Sequence, residues 1–318
     1  MPQHQRSAYK RLGKEALKPL RLNDKDVELL KLFGPGQFTH LTAELIAHLT
    51  GRNLNRVQHR LRDLWDHCFV RRWFPPVVVN EEAAGGSQKA IYLLDAAGAE
   101  VLKERSGIEA RVIDFDPRDT HPMLDHAIAV NWFRVLTTLA CLKRTGVKFL
   151  YQYLDRELSV RFKVKLPERE LLATVVPDWF FAIDRHDQPV RNFFLEYQRS
   201  TRKTKRAGSN SQPLRTVRDK FRDYYYFYRS RVWESLSDKD YPAIQNLQNM
   251  RVLVVTEMGD QEHENLIKLA RSVDERGKGI RLFWFAKRSE FDLARPETLF
   301  ARVWRTPVEG DERMSIVE

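Results

Sequence analysis

Val175-Val176-Pro177-Asp178-Trp179-Phe180-Phe181-Ala182-Ile183, followed by Asn192-Phe193-Phe194-Leu195-Glu196-Tyr197-Gln198-Arg199, is the stretch that decides the fold of this 318-residue chain. Both runs are apolar and rich in aromatic residues. The polar Asp184-Arg185-His186-Asp187-Gln188-Pro189 between them is turn material, so the two runs read as a hairpin. Side chains alternate across a strand, which points Glu196 and Gln198 to one face, and a hairpin can bring Asp178 to that face as well. Two converging carboxylates repel each other, and a hard divalent cation with oxygen ligands is the usual reason to hold them together. Metal-assisted phosphodiester hydrolysis needs this arrangement. The plainer reading is a pair of solvated strand-edge carboxylates.

Working outward, Pro177-Asp178 with Glu196-x-Gln198 resembles the PD-(D/E)XK nuclease signature. The resemblance implies that Asp178 and Glu196 hold Mg²⁺ (or Mn²⁺) and that the last residue orients or activates the attacking water. Here Gln198 stands where that family usually carries Lys, and an amide orients water but cannot act as a base at neutral pH. The elements around the hairpin follow in a matching order. A helical pattern covers about 123–142, then a strand at Val147-Lys148-Phe149-Leu150-Tyr151, the hairpin, a helix over about 214–233, and a buried strand Arg251-Val252-Leu253-Val254-Val255-Thr256. A further helix (about 261–273) and strand (280–285) extend a mixed sheet flanked by helices. The predicted class is α/β with an α+β module ahead of it.

That module begins after a polar, basic arm over residues 1–21. Asn23 or Asp24 can cap a helix carrying Val27, Leu29, Leu30 and Phe33, stopped by Gly34-Pro35-Gly36. A second helix is predicted over about 42–49 and a third over about 53–66, with Leu54, Val57, Leu61 and Leu64 inward. Phe69-Val70-Arg71-Arg72-Trp73-Phe74 and Ala90-Ile91-Tyr92-Leu93-Leu94 read as two strands. Three short helices and a two-stranded ribbon are the order of a winged helix-turn-helix, here over 22–105. The outer face of its third helix offers Arg52, Asn53, Asn55, Arg56, His59 and Arg60, donors suited to base edges and phosphates in a major groove. A solvated face on a protein-docking winged helix is the competing reading. Residues 106–121, charged and carrying Pro117, read as a linker into a nuclease-like domain over 122–318.

The formal charge is +11, which attracts polyanions without giving sequence preference. It is concentrated after the candidate site: Arg202, Lys203, Lys205, Arg206, Arg215, Arg218, Lys220, Arg222 and Arg229 face only Asp219 and Asp223 between Arg199 and Arg231. That segment reads as a phosphate-backbone path, with Arg202, Lys203, Lys205 and Arg206 as its first contacts. No apolar run reaches the ~20 residues needed to span a bilayer. Cys68 and Cys141 are the only cysteines, which supports neither a disulfide framework nor a cysteine zinc site. No secretory signal is visible after Met1, so the expected address is the cytoplasm. A Walker A loop is missing, which leaves ATP-driven chemistry unsupported.

The whole pattern is similar to the replication-relaxation family of plasmids and other mobile elements. The matching pieces are Tyr92-Leu93-Leu94-Asp95-Ala96-Ala97-Gly98, His126, Val176-Pro177-Asp178, Phe194-Leu195-Glu196-Tyr197-Gln198-Arg199-Ser200-Thr201 and Val252-Leu253-Val254-Val255-Thr256. The resemblance implies a DNA-associated role in replication, relaxation or transfer, with DNA and replication or transfer proteins as partners. Two functions are then in play. One is a metal-dependent endonuclease or nickase; the other is a non-catalytic DNA-binding regulator or accessory factor on a decayed nuclease fold. A salt-bridged Glu196 would favour the second. His126 and Lys220 are candidate additions to the site, Lys220 as a substitute for the missing motif lysine. The aromatic run 224–228 is expected to form a core-facing stripe with Phe221, Tyr225, Tyr228 and Val232, rather than a base-stacking platform.

Overall fold

The computed structural model describes residues 19–74, 89–112, 121–154, 157–165, 170–186, 188–199, 216–235, 241, 244 and 247–318. The chain divides into two compact units, Met1–Val135 and Leu136–Glu318, and its class is mixed α/β.

The first unit runs α1 (Asp24–Lys31), β1 (Leu41–Thr42), α2 (Ala43–Thr50), α3 (Leu54–Asp66), β2 (Val70–Trp73), β3 (Ile91–Leu94), α4 (Ala96–Ser106) and the start of α5 (His121–Lys143). Local chemistry sets the boundaries. Asn23 caps α1 in a reciprocal box with Asp26, and Thr42 caps α2, whose last turn is closed by Gly51 at φ 64°, a conformation that suits glycine. The β1 strand, which periodicity does not reveal because it is two residues long, pairs with β3, and β3 pairs with β2, giving an antiparallel order β1-β3-β2. Val57, Leu61 and Leu64 are buried beneath α3, each contributing about 1.5–3 kcal/mol relative to exposure. Leu54, expected inward, is only half-buried.

The second unit carries a five-stranded sheet ordered β10-β9-β8-β7-β4, from β4 (Val147–Leu154), β7 (Trp179–Arg185), β8 (Gln188–Gln198), β9 (Met250–Thr256) and β10 (Phe283–Lys287). β4 and β7 are antiparallel neighbours, β7 and β8 form the antiparallel hairpin, and β8, β9 and β10 run parallel. Helices α6 (Val217–Arg229) and α7 (Asp260–Arg271) complete it. One face of the sheet presents Phe180, Phe194, Val252, Val254, Phe283 and Phe285 to Phe221, Tyr224 and Phe227 of α6 and to Leu266 and Ile267 of α7. The alternate residues Trp179, Phe181 and Phe193 stack with one another and with Phe149 on the other face.

Two expectations change in detail. The run 175–183 is not one strand: Val175 ends β6 (Glu170–Val175), which pairs with β5 (Val160–Lys165) in a separate two-stranded sheet. Val176 and Pro177 lie between β6 and β7, in keeping with a proline that has no N–H for a ladder. The stripe of α6 is also rotated. Phe221 and Tyr225 are buried as expected, but Tyr224 and Phe227 are buried too, while Tyr228 and Val232 are partly buried against the core.

Candidate nucleic-acid interface and carboxylate site

In the first unit, α3 exposes Asn55, Arg56, Gln58, His59 and Arg62. The helix has the spacing for this: its buried positions recur every three or four residues and leave the opposite face to solvent. Three residues expected on the outer face have other work. Asn53 is the N-cap, and its Oδ1 accepts from the backbone N–H of Asn55 at 3.0 Å and of Arg56 at 3.4 Å. Arg52 donates to the carbonyl of Lys25 at 2.9 Å. Arg60 grips Asp26 of α1 through two bonds, Nε to Oδ1 at 2.7 Å and Nη2 to Oδ2 at 2.5 Å. Asp26 is 1% exposed, so this pair ties α3 to α1.

Beside α3 lies a cleft of about 410 Å³ lined by Gln58, His59, Arg62, Arg72, Phe74 and Lys89, among others. The Arg72 guanidinium lies 3.8 Å over the Trp65 ring, and Lys89 pairs with Glu44 at 2.5 Å. Gln58 and Arg62 are additions that the sequence reading missed. Gln58 lies three residues from Asn55 and Arg62 three from His59, a spacing that puts them on the same helix face. Arg202, Lys203, Lys205 and Arg206 lie outside the described residues.

In the second unit, Trp179 pairs with Leu195, and the preceding Asp178 is held against the end of the same strand. Asp178 precedes β7 and is fixed at both ends. Its N–H donates to the Leu195 carbonyl at 3.0 Å, and its Oδ2 accepts from the Tyr197 N–H at 2.7 Å. Glu196 has no exposed surface. Its Oε2 accepts from Lys220 Nζ at 2.6 Å and its Oε1 from the Tyr224 hydroxyl at 2.8 Å. Lys220 and Tyr224 are one turn apart on α6 and therefore face the same way. Burial pushes the Glu196 carboxyl above its ordinary range; the Lys220 ammonium opposes that rise and the nearby Asp178 charge adds to it. Gln198, half-buried, ends β8 on the Glu196 side, and its carbonyl accepts from the Glu257 N–H at 3.0 Å. On the opposite side of the strand, Tyr197 donates its hydroxyl to Glu257 Oε1 at 3.0 Å, and Arg199 Nε donates to Oε2 at 3.0 Å.

The hairpin thus brings Asp178 and Glu196 together. Lys220 reaches Glu196 from another element, and Tyr224 does so unforeseen. Among the described residues, no group of three or more His, Cys, Asp or Glu side chains is arranged to hold a metal ion. His126 is half-buried on α5 and belongs to the first unit. No helix among the described residues is long and apolar enough to cross a membrane.

The family model described as Replication-relaxation matches residues 36–238, more than half of the chain. No curated protein and no solved structure matches it.

Proposed function

Because the chain belongs to the replication-relaxation family, we propose that it serves the replication or relaxation of a plasmid or other mobile element as a duplex-DNA-binding protein. Its first unit reads DNA as a winged helix, and its second unit is a PD-(D/E)XK-like fold in a non-hydrolytic state. The observation that carries the binding role is the exposed, cationic and amide-rich face of α3: Asn55, Arg56, Gln58, His59 and Arg62. The order α1-β1-α2-α3-β2-β3 and the sheet order β1-β3-β2 support the winged-helix reading. In such domains the residues near the start of the third helix meet base edges.

Arg56→Ala and Asn55→Ala are each expected to weaken specific binding by about 1–3 kcal/mol, with sequence preference relaxed. Fluorescence anisotropy with a duplex selected from a random pool measures this. Folded variants that bind as tightly as wild type would take α3 out of the interface. Joint replacement of Lys203, Lys205 and Arg206 is expected to weaken binding to all sequences and flatten its salt dependence, by up to roughly one unit for each phosphate no longer neutralised. An unchanged slope would remove that segment from the DNA path.

A second reading, a Mg²⁺- or Mn²⁺-dependent endonuclease, is favoured by the convergence of Asp178 and Glu196 with a lysine beside them. As arranged, however, the residues fit a divalent cation poorly. Mg²⁺ needs oxygens at about 2.0–2.1 Å in near-octahedral geometry and keeps several waters. Glu196 is sealed from solvent, with one oxygen on an ammonium and the other on a hydroxyl. That occupancy favours the non-hydrolytic form. Metal-dependent nicking of supercoiled plasmid that disappears in Asp178→Ala would reverse the choice.

A further inference from the structure

Glu196 of the second unit is paired with a cation that the chain itself supplies. Lys220 Nζ lies 2.6 Å from Glu196 Oε2, the short distance of a charge-assisted bond. Glu196 is completely buried, whereas the Lys220 side chain keeps 29% exposure, so the ammonium links solvent to the sealed carboxylate. The helix carrying it is fixed by the fold. Thr216 caps α6 in a reciprocal box with Asp219, and Tyr224 and Phe227 pack against the Phe194 ring at 5.7 and 5.9 Å. One turn beyond Lys220, the Tyr224 hydroxyl donates to the other Glu196 oxygen. Asp178, whose charge is felt at Glu196, is itself pinned through the Tyr197 N–H.

We propose that Lys220 is the resident counter-ion of Glu196, taking the carboxylate oxygen that a divalent cation would need, so that Glu196 is a metal-independent structural element. The proposal rests on the nuclease-like reading of this unit and deepens it. Two carboxylates and one ammonium leave a single negative charge at the patch. Adding a divalent ion beside Lys220 would place two cations against each other in a poorly solvated site, where repulsion is strong. Lys220 therefore weakens the hold of the patch on a metal, and the helix geometry keeps Lys220 at Glu196. Gln198 is consistent with this. A second ammonium from the strand would have crowded the same carboxylate.

The test is calorimetric titration of MnCl₂ into the full chain. Wild type is expected to give the same heat as Glu196→Gln, with no Glu196-dependent binding. Lys220→Met removes the charge and keeps the length of the side chain. It is expected to gain Mn²⁺ affinity by at least about tenfold, and the gain should vanish in Lys220→Met/Glu196→Gln. Lys220→Arg is expected to stay silent. Glu196-dependent Mn²⁺ binding by wild type overturns the proposal, and so does a folded Lys220→Met with no gain. If Lys220→Met does not fold, Lys220→Gln and the wild-type titration decide by the same criteria. Anisotropy with DNA run in parallel keeps this outcome separate from that of the α3 interface, which lies in the other unit.

Discussion

Substituting Arg60 with alanine is expected to destabilise the first unit by about 3 kcal/mol, the scale for removing one partner of a buried ion pair. Asp26 is 1% exposed, and without Arg60 its carboxylate keeps only local partners such as the Asn23 N–H at 2.8 Å. Burial pushes the Asp26 carboxyl up, but the Arg60 bonds and the Asn23 N–H together hold it below its ordinary 3.8. A depressed folded-state value stabilises the protein above the unfolded value, and that stability is lost as pH falls through the folded one. In wild type the Asp26 contribution is therefore intact down to about pH 3.8 and disappears below it. In Arg60→Ala burial is poorly opposed, so the folded-state value of Asp26 rises; the carboxylate then costs stability at neutral pH, and the deficit relative to wild type should shrink as pH falls and Asp26 is protonated. Adding Asp26→Asn should recover much of the stability. Urea unfolding across pH, with DNA affinity measured on the folded fraction, separates this from a recognition role. A stable Arg60→Ala that binds DNA weakly would return Arg60 to the interface.

Glu196→Ala is the second large effect expected, a loss of about 2–4 kcal/mol. It strips the Tyr224 hydroxyl and the Lys220 ammonium of their common acceptor and leaves a hole in a packed face. Glu196→Ala is consequently a poor probe of catalysis, since lost cleavage could follow from lost structure. Glu196→Gln preserves the volume and one acceptor, and is the variant to set beside Asp178→Ala in a nicking assay. Replacing both partners, as Glu196→Met/Lys220→Met, is expected to come close to wild-type stability, because apolar pairs of similar size commonly match or exceed a buried ion pair. If Glu196→Ala proves as stable as wild type within about 0.5 kcal/mol, the carboxylate has no structural role, and its conversion into a metal ligand becomes the better account.

What the sequence by itself determined is what local physics determines. Alternation along Asn192–Gln198 put Glu196 and Gln198 on one face, and the hairpin then brought Asp178 to the end of that strand, where its Oδ2 accepts from the Tyr197 N–H. The cap propensity of Asn23 and the 3.6-residue period of α3 located the helices and the helix face that stays exposed. The family pattern, an ordered set of loose pieces, was legible for the same reason.

Only the tertiary structure decided which charged groups are occupied. Arg60 looked like any outer-face arginine until its partner 34 residues away was seen, whereas the capping role of Asn53 could have been read from its place before the helix. Lys220 and Tyr224 lie 24 and 28 residues from Glu196, and no local period reports a contact across such a separation. The β5–β6 pair was hidden too, since the Val175–Ile183 run is continuous in hydrophobicity but broken at Pro177, where the ladder has no donor. Composition shows that carboxylates and cations are present. Which of them meet is fixed by packing α6 onto the sheet, which sets Lys220 and Tyr224 against Glu196.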